Sequence, residues 1–170
     1  MNNEQTEILV TEKELVINML IAAWDVQNKR FADFLSKVSD EELAGEASPG
    51  RNTGTYLLGH LTAVSDSMLK LMGLGDKLYP ELEDVFITSP DNSGKTMPSL
   101  STLREQYNTV TSELHKHFSK MTSDDWFGRH MSVSEEDFAK EPHRNKLNIL
   151  VSRTSHFAGH FGQMLYLKKK

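Results

Sequence analysis

Apolar residues recur at helical spacing in four long stretches of this chain. In the first, Val16, Met19, Leu20, Ala23, Phe31, Phe34, Leu35 and Val38 return every three or four residues, with Trp24 beside them, and that period predicts an amphipathic helix. Thr11-Glu12-Lys13-Glu14 ahead of it is a capping box, with Val10 and Leu15 placed to form a hydrophobic staple. The second stretch begins near Asn52 or Thr53 and ends at Met72, where Gly73 is the stop signal. Its inner face is Tyr56, Leu57, His60, Leu61, Val64, Met68 and Leu71. The third runs from about residue 101 to 121 and buries Leu103, Tyr107, Val110, Leu114, Phe118 and Met121. The fourth is capped by Asn145 and spans residues 146–168. Its apolar face carries Leu147, Leu150, Val151, Thr154, Phe157, Phe161, Met164 and Leu165.

The segments between are less regular. Ser39-Asp40-Glu41-Glu42 is a second capping box, but Gly45, Pro49 and Gly50 leave room for one short turn of helix. Residues 73–98 mix Gly, Pro, Asp, Asn and Ser without sustained periodicity, and a connection that long implies a crossover or a functional loop. Gly94-Lys95-Thr96 looks like the tail of a phosphate-binding loop. The Gly required five positions earlier is Ser89, and no strand precedes it, so that reading fails. Residues 122–144 are polar and irregular, with a helical turn expected from Ser123 to Trp126. With no internal repeat and no convincing strand pair, the pattern is that of an all-α, four-helix bundle with long connections.

Composition fits one soluble globular domain over residues 1–170: 38% of residues are hydrophobic and 25% charged. The absence of cysteine excludes disulfides, thiolate metal ligands and a Cys nucleophile. Met1-Asn2-Asn3-Glu4 lacks the charge and apolar core of a signal peptide, and no apolar run approaches the ~20 residues of a membrane span. A cytoplasmic protein with no membrane partner is expected. The net charge of −5 speaks against nucleic-acid binding. The one dense basic run, Lys168-Lys169-Lys170, is explained by the helix dipole.

Candidate chemistry lies in His156-Phe157-Ala158-Gly159-His160-Phe161-Gly162-Gln163. Histidines four apart share one helical face and can share one metal ion. A catalytic centre of zinc type usually takes three protein ligands and keeps a position open. His60, on the inner face of the second helix, is the third candidate. If the second and fourth helices are antiparallel, His60 lies about 10 Å from the start of one and His160 about 12 Å from the end of the other, so their levels agree. Parallel helices would separate them. On the residues alone, a satisfied set of core or surface histidines explains the pattern equally well. His115 and His117 diverge on their helix and read as surface residues, and His130 and His143 as loop bystanders. No Glu follows His156, where a zinc protease would place its base; the residue there is Phe157. Gln163 returns to nearly the face of His156 and is a candidate to orient a ligand or its water, or else to make a helix-packing hydrogen bond.

Leu57-Leu58-Gly59-His60-Leu61 together with His156-x-x-x-His160-x-Gly162-Gln163 resembles the DinB-like superfamily. These are small four-helix-bundle proteins that include bacillithiol- and mycothiol-dependent S-transferases. The resemblance implies an up-down-down-up bundle, with residues 73–98 crossing between parallel second and third helices. It implies a divalent ion, zinc or nickel, held by His60, His156 and His160, and a homodimer. Phe161 departs from the basic residue that many relatives carry before the Gly-Gln pair.

Three neutral imidazoles leave a divalent ion with its charge uncompensated and a position open, so it can activate water or hold a thiol as thiolate. The expected function is a metal-dependent enzyme acting on a small molecule, either a thiol-dependent S-transferase or a hydrolase. In a chain without cysteine, sulfur transfer requires a low-molecular-weight thiol as cosubstrate. The alternative is a non-catalytic, stress-associated binding or dimerisation module. No residue is assigned as general base.

Overall fold

The computed structural model describes residues 10–167. Four long helices carry the fold: α1 (Glu12–Leu35), α3 (Gly54–Leu71), α5 (Leu100–Phe118) and α8 (Lys146–Met164). Short helices occupy the connections: α2 (Asp40–Ala44), α4 (Leu82–Phe86), α6 (Ser123–Phe127) and α7 (Glu135–Lys140). A 3-10 turn, Leu165–Leu167, follows α8. Among the described residues there is no strand, and no helix is long and apolar enough to cross a membrane. The terminal lysine run lies outside the described residues.

Local chemistry sets the helix starts. Thr11 and Ser39 head complete capping boxes, while Thr53, Ser99 and Asn145 each accept a hydrogen bond from the backbone three residues on. Val10 and Leu15 are both exposed, so the expected staple does not close. Past Met72, Gly73 takes φ +68°, the left-handed conformation that ends α3.

The core joins α1, α5 and α8 through aromatic rings. Phe31 meets Tyr107, Phe157 and Phe161 edge-on, at centroid separations of 5.0, 5.1 and 5.3 Å, and Trp24 meets Phe157 at 5.8 Å. These contacts run α1 parallel to α8. Against α5 the order reverses: Arg104 at its start reaches the Leu35 and Val38 carbonyls at the end of α1. Further along, the buried Tyr107 hydroxyl donates to Asn28 Oδ1 at 2.8 Å.

The sequence pattern misplaces the buried face of the first half of α1. Val16, Met19 and Ala23 are exposed, and the inward positions are Ile17, Trp24 and Asn28. Apolar residues occupy both faces there, so periodicity alone could not choose. The helix α3 is buried nearly all round: Leu58, Gly59, Thr62 and Asp66 are covered as well as the expected face. Its second cover is the crossover, which folds back through α4. Leu82 and Phe86 are buried there, and the Asp66 carboxylate accepts from the Leu78 and Tyr79 amides at 2.8 and 2.9 Å. Five residues are too few for α4 to announce itself by period.

Candidate metal centre

His60 on α3 and His156 and His160 on α8 converge, with one ligating atom from each lying within 4.8 Å of the others. The ring centroids are 5.2 Å apart for His60–His156, 4.9 Å for His60–His160 and 4.5 Å for His156–His160. His60 Nε2 faces His156 Nε2 at 3.2 Å. Two ligands on one tetrahedral ion at ~2.0–2.1 Å are separated by roughly 3.3 Å, so this spacing suits a shared ion.

Each ring is held by a specific surrounding. His60 Nδ1 lies 2.7 Å from the Phe86 carbonyl. A carbonyl only accepts, so Nδ1 carries the proton and Nε2 turns its lone pair to the centre. Tyr56, one turn earlier on α3, stacks on the His60 ring with an interplanar angle of 10°, and its hydroxyl donates to the Ser89 carbonyl at 2.7 Å. Gly59 makes the arrangement possible. A Cβ there would fall 2.3 Å from the Phe86 ring, so only a bare backbone lets that ring lie against α3.

On α8, His156 Nδ1 and His160 Nδ1 are buried without a hydrogen-bond partner. Such unmatched nitrogens cost free energy unless a ligand or water completes them. Without an ion, His156 must donate from Nε2 to His60 Nε2, because the His60 proton is committed to Phe86. A cation at the centre instead accepts both lone pairs. The donor set, three imidazoles with the Nε2 atoms of His60 and His156 facing one another, is thus compatible with a divalent metal.

Electrostatics favour the neutral, ligating form of these imidazoles. Burial first, then the neighbouring His160, His60 and Arg153, bring the His156 pKa down to about 4. Burial and His60 also lower that of His160, while the Gln163 side chain works in the opposite direction. Gln163 therefore stands beside His160, the one of the pair that spacing did not single out.

The other histidines stay apart from the centre. His115 and His117 are near Asp25 and Glu113. His130 is buried, and its Nδ1 accepts from the Ser132 amide at 3.3 Å. Phe161 is buried against Phe31 and Phe34, so the position that departs from the resembled pattern belongs to the core. Phe86, Gly59 and Tyr56 as positioning residues escaped the sequence reading, since the carbonyl that orients His60 comes from a segment without a motif.

Comparison with known proteins supports this picture. The family model of the DinB superfamily matches residues 23–164. No curated protein matches the chain. A solved structure, described as the conserved protein of a locus from Enterococcus faecalis, superimposes with a TM-score of 0.62 at 16% identity. The match covers 89% of this chain and 94% of that one, and it shows a shared fold.

Proposed function

The chain belongs to the DinB superfamily, and from that premise we propose a divalent-metal-dependent enzyme that transfers the sulfur of a small thiol to an electrophilic small molecule. The observation that carries this reading is the convergence of three imidazoles on one point, with His60 oriented by Phe86. The family match and the lowered pKa values on α8 support it.

A divalent ion, once bound, supplies a Lewis acid able to hold a thiol as thiolate at neutral pH. The chain's own residues do the rest. His60, His156 and His160 offer neutral nitrogens, and Phe86 and Tyr56 fix the His60 ring. Glu83, a carboxylate lining the cavity next to His60 and His156, is ion-paired with Lys77, which lowers its pKa.

Two finer features belong to this reading. The first is an up-down-down-up bundle, supported by the contacts of α1 with α8, of Arg104 with the end of α1, and of Gly54 with Leu167. The second is a homodimer in which another copy would cover Leu15, Met19 and Val26, apolar side chains that α1 leaves exposed. The test is a screen of low-molecular-weight thiols with electrophiles on metal-loaded protein. Turnover that requires metal and all three histidines supports transfer. Metal binding without turnover favours a binding module, and turnover without thiol favours a hydrolase.

A further inference from the structure

A cavity of about 530 Å³ opens beside His60 and His156. Val64, Leu71, Ile87 and Met131 give it an apolar wall, while Lys70, Lys77, Arg153 and Glu83 supply its charges. Three cations and one carboxylate make this a locally positive site in a chain of net charge −5. Lys77 is taken up by Glu83. Arg153 is not: it is half-buried, its Nε is enclosed without a hydrogen-bond partner, and no protein carboxylate pairs with it among the described residues. A guanidinium nitrogen enclosed without a partner is costly, and an anion drawn to that guanidinium offsets the cost.

We propose that this cavity seats the carboxylate of the small-molecule substrate, with Arg153 as its anchor and Lys70 as a second positive charge. The inference deepens the metal-enzyme reading and rests on it. The planar fork of arginine matches a carboxylate through two parallel hydrogen bonds. The apolar wall suits a hydrocarbon body carrying one such group. Arg153 precedes His156 by three residues, about 4.5 Å of rise along α8. Arg153 and His156 line the same cavity, so a carboxylate seated there lies on the side of the centre that His156 faces.

The test is calorimetric titration of the full chain, metal-loaded and metal-free, with a carboxylate series from acetate to 4-phenylbutyrate. The uncharged 4-phenylbutyramide and inorganic phosphate serve as comparisons. The carboxylate is expected to bind at least tenfold more tightly than the amide in both metal states. Arg153→Gln should weaken it roughly tenfold to a hundredfold, Arg153→Lys less, and neither should change metal stoichiometry. Equal binding of carboxylate and amide, no carboxylate binding at all, or preference for phosphate overturns the proposal. So does full carboxylate affinity in Arg153→Gln. Should that variant not fold, Lys70→Gln and the amide comparison on the unaltered chain decide. Metal bound without carboxylate discrimination leaves the metal reading standing and sinks the seat, and discrimination by a chain that binds no metal does the reverse.

Discussion

The main-chain carbonyl of Phe86 lies 2.7 Å from Nδ1 of His60, across 26 residues of sequence. The crossover therefore sets which nitrogen of that histidine faces the centre. Gly59 sits under the Phe86 ring, and an added methyl would approach its carbons to 2.3–2.5 Å. Gly59→Ala is expected to push α4 outward at a cost of about 1–3 kcal/mol and to weaken metal binding roughly tenfold through loss of the His60 support. Thermal melts and metal titration check the two effects separately. Unchanged metal affinity in a destabilised variant would detach Phe86 from the site.

Asp66 holds the other end of the crossover. Its buried carboxylate accepts from the Leu78 and Tyr79 amides. Asp66→Ala should destabilise by about 1–3 kcal/mol for each donor left without a partner, and speed hydrogen exchange at residues 78 and 79. Protection equal to that of the unaltered chain would contradict the role given to Asp66.

Truncating Phe31, whose ring touches α5 and α8 at once, tests the core rather than the site. Phe31→Ala should cost about 3–5 kcal/mol, read as a fall in denaturant midpoint. A loss below 1 kcal/mol would mean that the three helices are not joined there.

The pH dependence has a definite sign. In the unfolded chain an imidazole titrates near 6.5, whereas burial, with the neighbouring His160, His60 and Arg153, holds His156 down to about 4 when folded. Between those values the unfolded chain takes up a proton that the folded one refuses. In metal-free protein, stability present above pH ~6.5 is therefore lost as pH falls toward 4. His160 and His130, also lowered, act in the same direction. Bound metal competes with the same protons, so its release is expected on the acid side of 6.5. Metal titrations at several pH values check this, and half-release at neutral pH would contradict it.

Much of the fold was legible because capping signals are local: Thr11, Ser39, Thr53 and Asn145 each start a helix as the sequence indicates. The clustering of three histidines was legible because His156 and His160 are a turn apart and His60 lies within an apolar stripe. The support of the trio was not. A carbonyl has no side-chain signature, so Phe86 could not be found from residue types, and a bare Gly59 gains meaning only once a ring lies over it. Arg153 was within reach, three residues before His156 and hence on the same side of α8. Yet a lone arginine beside an apolar stripe carries no spacing signal of its own, and the cavity it lines is visible only in the fold. The wrong face in the first half of α1 has another cause. Exposed Val16, Met19 and Ala23 recur at the spacing of a core stripe, and only the contacts of Trp24 and Phe31 show which side is covered.

The exposed Leu15, Met19 and Val26 make a separate prediction. If a second copy packs on them, Met19→Asp should shift the chain to monomer in light scattering at micromolar concentration while leaving metal binding intact. A wild-type chain that is already monomeric under those conditions would rule out this surface.

Elemental analysis of protein prepared without chelators or a histidine tag, set beside its His60→Ala variant, bears most directly on the metal centre. The expected result is close to one divalent ion per chain for the wild type and loss of that ion in the folded variant. An equal metal content in both, or none in either after exposure to zinc and nickel, would contradict a shared site at His60, His156 and His160.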